Sequence, residues 1–573
     1  MPPGLLYVTM QPAATLPPAQ FHDWYNNEHG PLRLRLPFIT NGFRYRATDL
    51  NDENNKDKGL PEWLAIYDVT DMAELTRPPY TTLREPGVKS ERETKTMAQI
   101  AVDRRLYDLI DEKAVDGFRS LEAPDAPSPA GSVLVAVSAT VHPGKEAELD
   151  RWYREEHIPL LAKVPGWRRT RRFVTSSVLS PGEQGVEYLA LHEYDPQNGL
   201  GGPEWQAAVS TPWNKSIMVD VVRDKKRRTY TWFYTFGPAP RELGALTSGE
   251  TAAFTSPDGR TKTFPIPASG STRPAVESYV TTPDGVDIPY RLEGSPDPDS
   301  PIIVLSNSIL VEWGIWDNFV DIFFSDPANR HFRILRYLTR GRFQQCGSRP
   351  ITIDVLSDDL ITLLDALRIP RAAALIGVSL GGATVLNIAL RYPSRVGAFI
   401  SCDTNAASPE GNRKAWGERT AIAEAEGAVS PSTGEPIIGS NLAEATVRRW
   451  FIPASYDGGV REARIAKVKS MVQNNSLVGF KQSVQALFAY DVREAMKVSR
   501  ARGLFVVGAG DGVLPNTMKE MAATHGAAVG GGAELKVIED AGHLPMVEQP
   551  EKFEEIVSRF LGTRNGGANA SKI

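Results

Sequence analysis

Apolar and polar positions alternate in the same order twice within the first 236 residues. LLYVTM (Leu5–Met10) alternates at period two and predicts a strand. An amphipathic helix follows, carrying WYNNEHGP (Trp24–Pro31). GFRYRAT and WLAIYDV then predict two further strands, and LYDLI a last one. The pattern restarts at SVLVAVSAT. A helical stripe of Leu149, Trp152, Tyr153, Leu160 and Leu161 carries WYREEHIP (Trp152–Pro159). GWRRTRRF, EYLALHEY and YTWFYTF complete the second set. Pro159 lacks an N–H and is expected to break or kink its helix. The order β-α-β-β-α-β describes a ferredoxin-like unit, and two in tandem cover each other's exposed sheet face.

From about residue 275 the pattern changes to short buried runs followed by helices. PIIVLSNS, ALIGV, GLFVVG and ELKVI predict buried strands, with PEKFEEIVSRFL as a late amphipathic helix. Turn residues dominate Glu122–Ser132 and the stretch from about Gly237 to Ala275, which read as linkers. The expected organisation is a first unit at 1–121, a second at 131–236, a linker at 237–274, a third domain at 275–562 and a flexible tail at 563–573.

Composition narrows the functional classes. The chain has 573 residues, 41% hydrophobic and 23% charged, with a net charge of −5, so a nucleic-acid footprint is not expected. RDKKRR (Arg223–Arg228) reads as a solvated turn before a strand. Two cysteines, Cys346 and Cys402, supply neither a disulfide framework nor a metal site. No run approaches the roughly 18 apolar residues of a membrane span, and the N-terminus has no signal-peptide pattern. A cytoplasmic protein with no metal or cofactor is expected. The tail Ser571-Lys572-Ile573 is close to the peroxisomal address Ser-Lys-Leu, which keeps import to that organelle open.

The strongest chemical signal is Gly377-Val378-Ser379-Leu380-Gly381. An apolar strand precedes it, and a helix with Val385, Ile388 and Leu390 on its apolar side follows. Strand, G-x-S-x-G and helix make a nucleophile elbow, in which a strained turn lifts the serine oxygen clear of the backbone. A serine hydroxyl needs a base, and the order Ser, Asp, His is completed by Asp511 after GLFVVG and His543 after ELKVI. Asp540 and Glu539 are alternative acids, but they lie awkwardly near His543 in sequence. By position, the N–H groups of Leu380 and Ile309 form the oxyanion hole.

His29 and His157 close the repeated motifs. They are either acid–base groups facing a barrel cavity or helix-end histidines bonded into structure. Trp24 and Trp152 read as core, Glu28 and Glu156 as partners of nearby arginines.

The repeated motif resembles the EthD-like dimeric α+β barrel family over about 235 residues. Members of that family pair two chains, so the duplication implies an internal pseudo-dimer. Relatives include small decarboxylases and dehydratases of aromatic and polyketide metabolism.

The region from about Gly285 to Leu561 resembles α/β-hydrolases of the 3-oxoadipate enol-lactonase-like group. VLSNS, IWDNF, FRILRYLTRG, GVSLGG, RRWF and AGHLPMVEQPEKF carry the likeness. It implies an α/β-hydrolase fold with a helical cap at about 405–500, built from helices around Ala443–Phe451 and Phe480–Phe488. Trp450 and Trp313 are candidate substrate contacts. Leu310, Trp313, Arg342 and Phe343 are bulkier than that group leads one to expect beside the pocket, which argues for a different lactone or ester.

The sequence therefore supports a serine hydrolase acting on a small-molecule ester or lactone. Two other readings stand beside it: a bifunctional enzyme of secondary metabolism with acid–base chemistry in the barrel, or a barrel serving as an oligomerisation scaffold. Neither a membrane nor a nucleic-acid partner is expected, and a homodimer is compatible with all three.

Overall fold

A computed structural model describes residues 2–53, 55, 58–123, 126, 128–178, 185–266 and 273–563. The tail Ser571-Lys572-Ile573 lies outside the described residues. The chain forms two compact units, Met1–Pro240 with Ser256–Asp258, and Arg241–Thr255 with Gly259–Ile573.

The first unit is a closed barrel of eight strands: β1 (Gly4–Pro12), β2 (Ile39–Ala47), β3 (Trp63–Val69), β4 (Ile100–Ala114), β5 (Val133–Val141), β6 (Trp167–Thr175), β7 (Tyr188–Tyr194) and β8 (Val222–Thr235). Their order around the barrel is β1-β3-β2-β8-β5-β7-β6-β4. Each half of the sequence supplies four neighbouring strands. The two halves join where β2 pairs with β8 and β4 with β6, both antiparallel. Closure removes the edge strands that a lone half would expose.

Side chains at alternate positions fill the interior, with all eight strands contributing. Leu5, Phe43, Leu64, Tyr107, Leu134 and Leu191 are among them. The same strand faces carry a buried ion-pair network in which Arg169 and Arg171 share Glu193 and Arg171 also reaches Asp68. The other strand faces pack against the helices in two separate clusters, the first also taking Tyr234 and Phe236 from the second half.

The break or kink expected at Pro159 takes a specific form, and Pro31 shows the same one. Tyr25–His29 and Tyr153–His157 are single π-helical turns inside otherwise α-helical segments. Gly30 N–H reaches back to Tyr25 O, and Ile158 N–H to Tyr153 O. The turn before each proline widens because the proline has no N–H to continue the ladder.

The second unit contains a ten-stranded sheet ordered β18-β17-β16-β15-β13-β14-β12-β11-β10-β9. The strands are β9 (Phe254–Thr255), β10 (Lys262–Phe264), β11 (Ala275–Thr281), β12 (Asp287–Gly294), β13 (Ile302–Ser306), β14 (Arg333–Tyr337), β15 (Ala374–Val378), β16 (Phe399–Cys402), β17 (Gly503–Gly508) and β18 (Glu534–Ile538). The six from β13 to β18 are parallel, and β12 pairs antiparallel with β14. β9 and β10 come from the stretch expected to be linker. Its turn residues hide two strands too short to show a period, and these extend the sheet edge.

Between β16 and β17 the chain forms the helices Asn412–Glu426, Ser440–Trp450, Val460–Gln473 and Leu477–Ser483. The second matches a segment expected from sequence; the fourth overlaps only the start of the expected Phe480–Phe488, in which Val484–Leu487 is a 3₁₀ turn. The first and third went unforeseen: each buries only a few side chains, so their apolar stripes are thin. Among the described residues no helix is long and apolar enough to cross a membrane.

Candidate active site

The parallel strands bring five loops to one end of the sheet. Ile309 follows β13, Ser379 follows β15, Asp403 follows β16, Asp511 follows β17 and His543 follows β18. This is the carboxyl end, where open α/β sheets place their ligands.

Ser379 sits at φ 57°, ψ −117°, a conformation that L-residues rarely adopt. Its neighbours enforce it. A Cβ on Gly377 would stand 2.2 Å from Gly381 O, and one on Gly381 would stand 2.3 Å from Ser306 O. Only glycine lets these chain segments approach so closely. Ser379 N–H donates to Cys402 O at 2.9 Å, and Thr404 Oγ1 donates to Ser379 O at 2.8 Å. The helix Leu380–Arg391 starts immediately afterwards, so Leu380 N–H is one of the donors a helix start leaves without an intrahelical acceptor.

His543 Nδ1 lies 2.7 Å from Asp511 Oδ2. Both side chains are largely buried. That bond takes up the nitrogen for which Asp540 and Glu539 were alternative partners. The Trp450 ring stacks on the imidazole at 5.5 Å with a 29° interplanar angle, and Trp450 O accepts from His543 N–H at 2.7 Å. Glu548 joins the base of the Ser440–Trp450 helix to the histidine loop, accepting from Ile452 N–H, Ser455 Oγ and Gly542 N–H.

Ser379, His543, Asp511, Ile309 and Trp450 all line one cavity of about 180 Å³. Asn307 steadies the loop that carries Ile309: its Nδ2 donates to Tyr337 O and its Oδ1 accepts from Trp316 Nε1, each at 2.8 Å. Leu310, next in the loop, holds φ 71°. Among the described residues no group of His, Cys, Asp and Glu suits a metal ion.

The structure corrects part of the expected pocket. Trp313, Leu310, Arg342 and Phe343 are not among the residues lining this cavity. Arg342 is taken up by Glu312 and Met471 O, and Phe343 is 50% exposed. Trp313 starts a short 3₁₀ turn, with its carbonyl accepting from Arg336.

Other lining residues were not foreseen. Asp403 is 1% exposed at φ 44°, and its Oδ1 accepts from Gly508 N–H at 2.9 Å. Burial, with the Asp511 carboxylate beside it, pushes the Asp403 carboxyl well above the usual range. The rule that singled out Asp511, an acid ending an apolar strand, applies equally to Asp403 after FISC. Trp416, Arg419, Arg449 and Tyr490 also line the cavity; of these Arg449 falls in RRWF, a stretch singled out from the sequence, but it is not singled out there as a lining residue.

The repeated histidines lie elsewhere. His29 and His157 do not face the barrel interior. They sit in the layer between helix and sheet, His29 against Trp24 and Tyr25, and His157 stacked on Trp152 at 4.2 Å. The parity of the flanking strands sends interior positions to other side chains. Burial pushes both imidazoles down to about 4. Glu28 accepts from Ser90 and Arg92, while Glu156 accepts from Thr211 rather than from an arginine.

Residues 303–556 match the alpha/beta hydrolase family. The chain is 28% identical over 284 residues to 3-oxoadipate enol-lactonase 1 of Acinetobacter baylyi, covering 49% of this chain and 96% of that one. It is 28% identical over 264 residues to 3-oxoadipate enol-lactonase 2 of the same organism, covering 46% and 89%. Among solved structures, the enol-lactonase from Burkholderia xenovorans is 26% identical, with 50% and 99% coverage and a TM-score of 0.43.

Proposed function

We propose that the C-terminal unit, an α/β-hydrolase domain, is a serine hydrolase that opens a carboxylic ester or lactone with Ser379, His543 and Asp511 as its triad. One observation carries this reading: the 2.7 Å bond between His543 Nδ1 and Asp511 Oδ2 lies in the same cavity as a serine held on a strained elbow. Asp511 fixes the ring so that Nε2 is the base. Ser379 Oγ attacks the carbonyl carbon while its proton passes to Nε2. Leu380 and Ile309 N–H groups hold the oxyanion. The C–O bond then breaks, and the leaving oxygen takes the proton from His543. In a lactone that oxygen stays tethered to the acyl group. Water attacks the acyl-enzyme with His543 again as base, releasing the acid and restoring Ser379. The enol-lactonase relatives support a lactone or ester as the substrate. The test is a panel of aryl esters and lactones with product masses recorded. Hydrolysis by the native chain and its loss in Ser379→Ala support the reading, and hydrolysis by Ser379→Ala overturns it.

For the N-terminal unit we infer an EthD-like pair of ferredoxin-like halves, an internal version of a two-chain barrel. Its support is the repeated element order and the two antiparallel seams. A second reading places acid–base chemistry in this unit, and one observation favours it for the first copy only. His29 Nδ1 meets Glu93 Oε1 at 2.9 Å, whereas His157 has no carboxylate at its Nδ1. His29→Ala would remove such chemistry and His157→Ala would not. Loss in both variants or in neither contradicts this assignment.

A further inference from the structure

Asp403 sits at the end of β16, between the nucleophile's elbow and the triad acid. The residues on either side of it hold Ser379: Cys402 O accepts from Ser379 N–H, and Thr404 Oγ1 donates to Ser379 O. The φ of 44° at Asp403 lies in the left-handed region, and its N–H donates to Val506 O at 3.1 Å. On the far side, the Gly508 peptide joins the two acids. Its N–H donates to Asp403 Oδ1 at 2.9 Å, and its O accepts from Asp511 N–H at 3.1 Å. A Cβ on Gly508 would stand 2.0 Å from Gly542 O, so the same peptide presses against the loop that carries His543. Asp403, Asp511 and His543 all line the catalytic cavity.

One oxygen of Asp403 is accounted for and the other is not. Oδ1 takes the Gly508 N–H, whereas Oδ2 is buried and meets no donor among the described residues. The Asp511 carboxylate lies within hydrogen-bonding reach of this carboxyl. A buried carboxylate oxygen without a donor is costly, and two carboxylates in contact repel. One proton between them removes both costs, and an O–H donating to a carboxylate makes a strong hydrogen bond. The surroundings place that proton. Asp511 Oδ2 already meets His543 Nδ1, and its side chain is 15% exposed, whereas Asp403 is 1% exposed. Burial and the Asp511 charge both raise the Asp403 carboxyl. Glu548, the other carboxyl acting on Asp403, is taken up by Ser455 Oγ and by the N–H groups of Ile452 and Gly542.

We propose that Asp403 is a positioning residue for the triad, with Oδ2 protonated and donating a hydrogen bond to the Asp511 carboxylate. The assignment rests on the hydrolase reading given above. Asp403 acts through Asp511 and exchanges no proton with the substrate. The proton stays on Asp403 through the turnover, so the two acids together keep the single negative charge that balances the imidazolium. The bond fixes the plane of the Asp511 carboxylate. That carboxylate orients the His543 ring, and the ring sets Nε2 against Ser379 Oγ.

The test compares the native full chain with Asp403→Ala and Asp403→Asn on 4-nitrophenyl butyrate at pH 7. Alanine offers neither an acceptor to Gly508 N–H nor a donor to Asp511, and asparagine offers both. Asp403→Ala is expected to lose about thirtyfold or more in kcat with KM changed by less than about threefold, and Asp403→Asn to recover at least about tenfold of that loss. An unchanged kcat in Asp403→Ala, equal losses in the two variants, or a loss carried by KM overturns the proposal. The infrared difference spectrum between the native chain and Asp403→Asn needs neither turnover nor a folded alanine variant. At pH 7 the carbonyl stretch of a protonated carboxylic acid is expected in the native chain and is lost in Asp403→Asn. A native chain without that band overturns the proposal whatever the kinetics. If the native chain hydrolyses no ester, the hydrolase reading fails by itself. The band still reports on the proton between the two acids: its presence supports the Asp403–Asp511 bond and its absence overturns it.

Discussion

Glu93 and Asn214 occupy the same position in the two halves of the barrel and do different work. Each stands three residues after a helix N-cap, Ser90 or Thr211, whose hydroxyl bonds to the motif glutamate, Glu28 or Glu156. Glu93 spans Trp24 Nε1 at 2.8 Å and His29 Nδ1 at 2.9 Å. Asn214 turns its amide to Val209 O at 2.6 Å, and Trp152 Nε1 and His157 Nδ1 have no hydrogen-bond partner among the described residues. This substitution, together with the Arg92 contact to Glu28 that the second copy lacks, separates the two copies at this site.

Removing the carboxylate from the first copy should make it resemble the second at a cost. Glu93→Ala leaves two buried donors without acceptors, each worth about 1–3 kcal/mol. Thermal unfolding of the full chain should show the first-unit transition lowered by several degrees. Asn214→Ala, which frees neither ring, should lower it less. Equal shifts would contradict the role given to Glu93.

Acid should weaken the barrel before carboxylate protonation begins. Burial holds His29 and His157 down to about 4, and His22 and His192 down to about 3. Between the ordinary value of 6.5 and those values the unfolded chain takes up protons that the fold refuses. Stability is therefore full above 6.5 and falls as the pH drops toward 4. Circular dichroism melts at pH 7, 6 and 5 should show a falling Tm. His157→Gln should flatten the slope. A Tm unchanged between pH 7 and pH 5 would count against the buried, neutral state of these rings.

Asp403 gives a slope of opposite sign in the second unit. Burial raises its carboxyl well above the usual range in the fold, while the unfolded carboxyl ionises at about 4. Stability from this group is therefore present at low pH and declines as the pH rises above that value. Asp403→Asn keeps an acceptor for Gly508 N–H and removes the titration. It should raise the Tm at pH 8 more than at pH 5. A gain of the same size at both would show that Asp403 ionises within the fold.

Trp450 has two links to the base, its ring against the imidazole and its carbonyl on His543 N–H. Only the ring is lost in Trp450→Ala. A ring contact of this kind is worth about 0.5–1.5 kcal/mol, so kcat on a neutral aryl ester should fall by about three- to tenfold. Trp450→Phe should recover most of that loss. No difference between the two variants would make the stack incidental.

The catalytic half was legible in the sequence because its signals are local. G-x-S-x-G needs its glycines within a few residues of the serine, and the close approaches at Gly377 and Gly381 explain that spacing. Asp511 and His543 each end a strand, so chain order and strand pattern locate them. Arg419 and Trp416 were not legible, and Arg449 was marked only as a member of RRWF. They meet in space from two helices with thin apolar stripes, and nothing in their spacing records the meeting. The barrel was partly legible. Strand alternation gave its faces, but placing His29 and His157 required the π-helical turns, which periodicity does not announce. The bulky residues Arg342 and Phe343 misled because residue size alone does not say where a side chain points. Arg342 finds Glu312, and Phe343 finds solvent.

The most direct test of the central claim is covalent trapping of the nucleophile. The full chain is incubated with an alkyl fluorophosphonate, and the modified peptide is identified by mass spectrometry. A single adduct on Ser379 is expected, absent in Ser379→Ala and formed at least a hundredfold more slowly in His543→Ala. Failure to label, labelling at another serine, or labelling at an unchanged rate without His543 would contradict the assignment of Ser379 and His543 as an activated nucleophile and its base.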